Sequence, residues 1–138
     1  MKIIIASGYF DPLHVGHIEY LELAKGLGGK LIAIVNNDHQ CFLKKGKSFM
    51  SENERKIILE SLKFVDEVFL SIDKDQPVCE SIKAIAEKYK GEEIVFAKGG
   101  DRFSSEVPEA QVCRDFNIKI VDRLGDKIQS SSGLTGIK

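Results

Sequence analysis

The sequence has no surplus of charge of either sign: 20 lysines and arginines stand against 21 aspartates and glutamates. A chain so balanced projects no long-range field that would gather nucleic acid or an anionic membrane surface. It also has no apolar run long enough to cross a bilayer. The run Ile3-Ile4-Ile5-Ala6, with Lys2 before it and Ser7-Gly8 after it, is too short for the core of a secretory leader. Cysteine is scarce. Cys41, Cys79 and Cys113 are odd in number, scattered and without a C-x-x-C pair, so a disulfide framework, a zinc site and cysteine catalysis are not expected, and a reducing cytoplasm is the expected setting. Internal repeats, low-complexity tracts and long linkers are missing too. One domain over residues 1–138 is therefore expected, large enough for a core of its own.

What is present is an alternation. Apolar runs rich in Ile and Val at residues 2–6, 31–35, 68–72, 94–97 and 118–121 predict five strands. None alternates strictly with polar residues, which suits parallel strands covered on both faces. Between them, residues 15–27, 51–64, 78–89 and 106–116 predict helices. Ser51 with Glu54 is a capping-box pair for the second, and Pro77 stands where a first-turn proline is tolerated in the third. The order predicts an α/β Rossmann-like three-layer sandwich around a five-stranded parallel sheet. In such sheets ligands bind beyond the carboxyl ends of the strands. Every distinctive polar cluster, at residues 8–17, 36–38, 71–75, 98–101 and 123–132, follows one of the predicted strands.

The first cluster, Gly8-Tyr9-Phe10-Asp11-Pro12-Leu13-His14-Val15-Gly16-His17, carries the most information. It predicts a strand, a turn and a helix start with two histidines on one helical face. Free backbone N–H groups and the positive end of a helix dipole bind phosphate at such a corner, and imidazoles there can donate to its oxygens. Gly8 is expected to allow a sharp turn and close approach to a ligand, and Gly16 to leave room between the histidines. Asp11 has an alternative as the helix cap. His39 has no such company and is expected on the surface. Leu43-Lys44-Lys45-Gly46-Lys47 is read as a loop after the second strand, either an ordinary basic loop or partners for a triphosphate. Arg55, among Glu52, Glu54 and Lys56, is compatible with an ordinary salt-bridged helix face. Lys98-Gly99-Gly100-Asp101 is a plain loop or a place where backbone passes under a flat ring, with Asp101 accepting from the ligand. Ser130-Ser131-Ser132 is tail, or a set of donors to phosphate.

Together these residues resemble the cytidylyltransferase-like nucleotidyltransferases, whose signature is H-x-G-H. The family pattern G-x-F-D-x-x-H-x-G-H matches Gly8, Phe10, Asp11, His14, Gly16 and His17 without a gap. The likeness continues through Asn36-Asn37-Asp38, the lysine segment, Glu54-Arg55-Lys56, the 65–68 run, Lys98–Asp101 and Ser130. It implies attack of a phosphorylated small molecule on the α-phosphate of CTP or ATP, with release of pyrophosphate and no covalent enzyme intermediate. By the resemblance, His14 and His17 stabilise the transition state and Lys44 or Lys47 grips the phosphates. Gly8, Tyr9, Phe10, Asp11 and Gly16 belong to the nucleotide site, Gly99, Gly100 and Asp101 border base and ribose, and Ser130 and Ser131 meet the β- and γ-phosphates. Asp38 and Arg55 are implied toward the acceptor. Magnesium is implied on the triphosphate, and a homodimer as the assembly.

Two subfamilies compete. Lys98–Asp101 with Leu43-Lys44 and Gly46 looks like the adenylyltransferase half of heptose-phosphate enzymes, while the short chain looks like glycerol-3-phosphate cytidylyltransferase. The latter's R-T-x-G-[IV]-S-T-[ST] motif is altered here, with no threonine after Arg123 and two extra residues before the serines. A nucleotide-binding module without catalysis is the alternative to an enzyme. A flavodoxin-like FMN domain ranks behind both, since it needs no histidine pair.

Overall fold

The computed structural model describes residues 1–99 and 108–124. Its elements, in chain order, are β1 (Lys2–Gly8), α1 (Val15–Lys25), β2 (Lys30–Val35), α2 (Asp38–Lys45), α3 (Glu52–Glu60), β3 (Glu67–Leu70), α4 (Cys79–Lys88), β4 (Glu93–Gly99), α5 (Pro108–Asp115) and β5 (Lys119–Leu124). The five strands form one sheet in the order β3-β2-β1-β4-β5, and all pairings are parallel.

Alternation along each strand divides the core into two layers. Ile3, Ile5, Ile32, Ile34 and Phe96 pack under Ile82 and Ile85 of α4 and Val112 and Cys113 of α5. Ile4, Ala6, Leu31, Ala33, Val95 and Ala97 face the other way, onto Leu21 and Ala24 of α1 and Leu59 of α3. Apolar side chains on both faces are what covered parallel strands require, and the expected three-layer sandwich is the fold observed. Cys41 and Cys113 are buried, Cys79 is half-buried, and all three are free thiols. Burial pushes the Cys79 thiol up to about 11 and Cys113 up to about 12, so neither forms thiolate readily. No helix among the described residues is long and apolar enough to cross a membrane.

The main correction concerns residues 38–45, read from sequence as part of a loop. They form α2, because both ends are closed locally. Asn37 accepts from the Gln40 amide at 2.8 Å while the Gln40 side chain accepts from the Asn37 amide at 3.0 Å, a reciprocal cap. Gly46, in the left-handed region at φ 83°, ends the helix by donating to the Phe42 carbonyl. The following helix is shorter than expected: α3 stops at Glu60, so the segment after it can turn and send Val65 into the core.

Candidate active site

The sheet order places β1 at the centre, with its two neighbours connected through opposite faces. In such sheets the ligand crevice opens beyond the carboxyl ends at that point. The pairing registers locate it. β1 stays with β2 as far as Gly8–Val35, but with β4 only as far as Ala6–Ala97. Into the gap α1 inserts Tyr20, whose hydroxyl accepts from the Ser7 amide at 3.1 Å and donates to the Ala97 carbonyl at 2.6 Å. Burial drives its phenol well above the ordinary tyrosine range. Sequence reasoning assigned Tyr20 no role; its place one turn past His17 was the available signal.

Both histidines stand at the start of α1, with His14 as its N-cap in extended conformation (φ −140°, ψ 179°). The Gly16 amide donates to His14 Nδ1 at 3.1 Å, and the His14 amide donates to His17 Nδ1 at 3.1 Å. This is a reciprocal cap of the kind serine and glutamate usually make, built here from two imidazoles. Its chemical consequence is specific. Each Nδ1 is an acceptor, so in the neutral ring the proton sits on Nε2, and each histidine keeps an N–H directed away from the helix backbone. The rings lie 3.9 Å apart between centroids at 31°. Burial, and then the neighbouring His14, lower the His17 pKa to about 4, which keeps it neutral near pH 7.

The glycines of the motif serve these rings. A Cβ on Gly16 would stand 3.0 Å from His14 Cε1, so glycine lets that ring fold back onto the helix without being pushed aside. A Cβ on Gly8 would stand 2.9 Å from Phe10 Cζ. Gly8 thus makes room for an aromatic ring; the sharp turn expected of it falls on Phe10, which is buried at φ 52°. A bulky residue in that region is held by its surroundings, and here the Phe10 ring packs edge-on against His17, 5.1 Å between centroids.

Asp11 does not cap α1. Its carboxylate accepts from the Phe49 amide at 2.8 Å and the Met50 amide at 2.6 Å, and pairs with Lys45 at 3.1 Å. Burial alone would raise its pKa, but the two amides and the lysine together hold it below the usual carboxylate value. Lys45 also donates to the Asp11 carbonyl at 2.8 Å. Lys44 takes a different course: its ammonium lies over the Tyr9 ring, 4.3 Å from the centroid. The Tyr9 phenol is raised by burial, then by Cys41 and Glu109. Lys44 and Lys47 are exposed, as is His39.

Arg55 does not lie on the outer, solvated helix face. It is 1% exposed. Its guanidinium donates to the carbonyls of Met50, Tyr9 and Asn36 and to Asp38 Oδ1. Asp38 in turn accepts from Ser48 Oγ, and its amide donates to Glu52. The pair binds three loops to one another. Gln40, also unmarked in sequence, is buried and donates to the Asp75 carbonyl at 2.6 Å. With Asn37 bonding the Ser71 and Asp73 carbonyls, it fixes the loop after β3 beside the loop after β2.

Lys98 stands one residue before the end of β4 with its ammonium 6.0 Å from the Phe96 centroid, and Gly99 ends the strand at an irregularity in the β4–β5 pairing. Gly100, Asp101, Ser130 and Ser131 lie outside the described residues.

Comparison with known proteins gives this arrangement a family. The cytidylyltransferase-like family profile matches residues 5–131. The chain belongs to the cytidylyltransferase-like family. Over 68 residues it is 46% identical to glycerol-3-phosphate cytidylyltransferase of Bacillus subtilis, a match covering 49% of this chain and 53% of that protein. Over 132 residues it is 33% identical to the bifunctional protein HldE of Wolinella succinogenes, covering 94% of this chain and 26% of that protein. An FAD synthase of Ferroglobus placidus is 41% identical over 75 residues, 54% of this chain and 49% of that protein. The chain thus spans about half, or about a quarter, of the curated relatives it matches. Among solved structures, the lipopolysaccharide core biosynthesis protein of Thermoplasma volcanium superposes with a TM-score of 0.68 at 26% identity, covering 89% of this chain and 96% of that one.

For a cytidylyltransferase-like chain, the histidine corner is a concentration of donors. The two Nε2–H groups, the positive end of the α1 dipole and the Lys44 ammonium all favour an anion. A neutral His17 imidazole can donate there without the cost of desolvating another full charge.

Proposed function

We propose that this chain transfers a nucleotidyl group from CTP or ATP to a phosphorylated sugar or alcohol and releases pyrophosphate. The observation that carries the reading is the reciprocal histidine cap, which leaves two Nε2–H donors side by side at a helix N-terminus. An acceptor phosphate is already ionised, so no residue need remove a proton from it. Its oxygen attacks the α-phosphorus, the bond to pyrophosphate breaks, and negative charge grows on the oxygens around phosphorus. Donors fixed in advance toward that charge stabilise it more than the ground state, each contributing ~3–4 kcal/mol in comparable sites. His14 and His17 have that role. Lys44 grips the phosphates, and alignment of the two substrates supplies the rest.

Among the described residues no group of three or more His, Cys, Asp or Glu side chains could hold a metal ion, and the Asp11 carboxylate is occupied by amides and Lys45. That donor set fits magnesium carried on the triphosphate and held by its oxygens and water, where it neutralises charge on the leaving pyrophosphate. The three free thiols support a cytoplasmic setting, and the family likeness supports a homodimer.

The test is pyrophosphate release with magnesium, offering CTP and ATP separately against glycerol-3-phosphate, phosphocholine, phosphoethanolamine, heptose-1-phosphate and FMN. One nucleotide–acceptor pair is expected to give a strong signal, identifying base and acceptor class together. Nucleotide binding by calorimetry with silence across a widened panel would favour the non-catalytic alternative.

A further inference from the structure

The two lysines in the last turn of α2 are treated in opposite ways. Lys45 is neutralised: it pairs with the Asp11 carboxylate at 3.1 Å and donates to the Asp11 carbonyl. Lys44, one residue earlier, makes no ion pair among the described residues, and its ammonium rests on the Tyr9 ring at 4.3 Å. An aromatic face attracts an ammonium through its quadrupole but leaves the positive charge intact. A carboxylate in the same place would cancel that charge before any phosphate arrived.

The Tyr9 ring is well mounted for such a task. Its residue follows directly on β1, and its carbonyl is held by the Arg55 guanidinium at 2.9 Å. The ring is half-buried. Lys44 stands in the last turn of α2, and from there its ammonium reaches the ring face. Tyr9 also opens the turn that leads to His14.

We propose that Tyr9 is a positioning residue for Lys44, its ring holding the ammonium unneutralised beside the histidine turn so that an incoming triphosphate meets a cation already in place. This rests on the nucleotidyl-transfer reading above. Free lysine side chains lose much rotamer freedom when they grip a ligand, and the ring removes part of that loss in advance. The phenol hydroxyl has no part in this; the ring face is what matters.

The expected effects are modest and patterned. Tyr9→Leu raises KM for the nucleoside triphosphate about two- to fivefold, the size of an exposed cation–π contact, with a smaller change in kcat. Tyr9→Phe restores KM to within about twofold, because the ring face remains. In a Lys44→Met background, Tyr9→Leu has no further effect on KM, since the contact it serves is already gone. Independently of activity, the Lys44 Cε protons show a ring-current shift by NMR in the unsubstituted protein and in Tyr9→Phe, and lose it in Tyr9→Leu.

Additive effects of Tyr9→Leu and Lys44→Met on log KM would overturn the proposal, as would a missing ring-current shift. Should the unsubstituted protein turn over no nucleotide–acceptor pair while the shift is present, the transfer reading fails and the positioning role falls with it. A missing shift with turnover intact sinks the positioning role alone.

Discussion

Two polar clusters sit at opposite ends of the sheet, and they are built on opposite principles. At the amino end, the Glu67 carboxylate takes Lys30 at 3.2 Å, Lys88 at 3.1 Å and the Tyr89 hydroxyl at 2.8 Å. Lys30 donates to the same hydroxyl at 2.7 Å. Charge meets opposite charge and the cluster closes on itself. At the carboxyl end, the histidine pair gives its acceptor atoms to backbone amides and keeps its donors free among the described residues. Lys44 leans on a ring, not a carboxylate. The difference teaches that richness in polar residues does not mark a site. A surplus of one kind of hydrogen-bonding group, left over after the fold has satisfied itself, does.

The strongest way to break this comparison is His17→Ala. It removes one outward Nε2–H, and turnover is expected to fall by ~10²–10³-fold while circular dichroism stays native. Near-normal turnover would mean that the free donors have no part in the chemistry.

His14 allows the capping and donor roles to be separated. His14→Asn keeps a good N-cap residue and loses only the imidazole donor, so turnover falls about a hundredfold with the melting temperature nearly unchanged. His14→Ala loses both, and stability falls by ~1 kcal/mol as well. Equal destabilisation by the two variants, read from denaturant melts, would count against the capping role.

Tyr20→Phe tests the floor of the site. It strands the Ser7 amide and the Ala97 carbonyl at the parting of β1 and β4, and a cost of ~1–3 kcal/mol is expected. A pH titration of stability comes next. The His17 pKa is lowered on folding to about 4 by burial and by His14, so the unfolded chain binds the proton more readily. The stabilising contribution is complete above the ordinary histidine range and is lost as pH falls through it toward about 4. His17→Gln should flatten that part of the profile. The smallest effect is expected at the amino end, where Glu67→Gln costs about 1 kcal/mol or less and leaves turnover unchanged; a large loss of turnover there would erase the contrast between the two clusters.

How much of this could be read from the chain differs from residue to residue. The five strands were visible as Ile- and Val-rich runs, because a parallel strand buried on both faces must be apolar throughout. The histidine turn was visible because its parts lie within ten residues of one another. Helix α2 was hidden by its lysines and weak apolar pattern, although Asn37, Gln40 and Gly46 marked both ends. Arg55 was hidden more deeply. In Glu52-Asn53-Glu54-Arg55-Lys56 every neighbour suggests a solvated helix face. The carbonyls that draw the guanidinium inward come from Tyr9, Asn36 and Met50, on three separate loops.

The sequence by itself therefore determined the local devices: the apolar runs, the capping pairs Ser51–Glu54 and His14–His17, and the glycines that clear space for two rings. Each depends on groups a few residues apart, whose meeting follows from backbone geometry alone. Only the tertiary structure decided the strand order, the parting of β1 from β4, the partners of Asp11 and Arg55, and the free state of Lys44. Those depend on which carbonyls, amides and rings are brought together across as many as 77 positions of chain, and packing of the two core layers makes that selection.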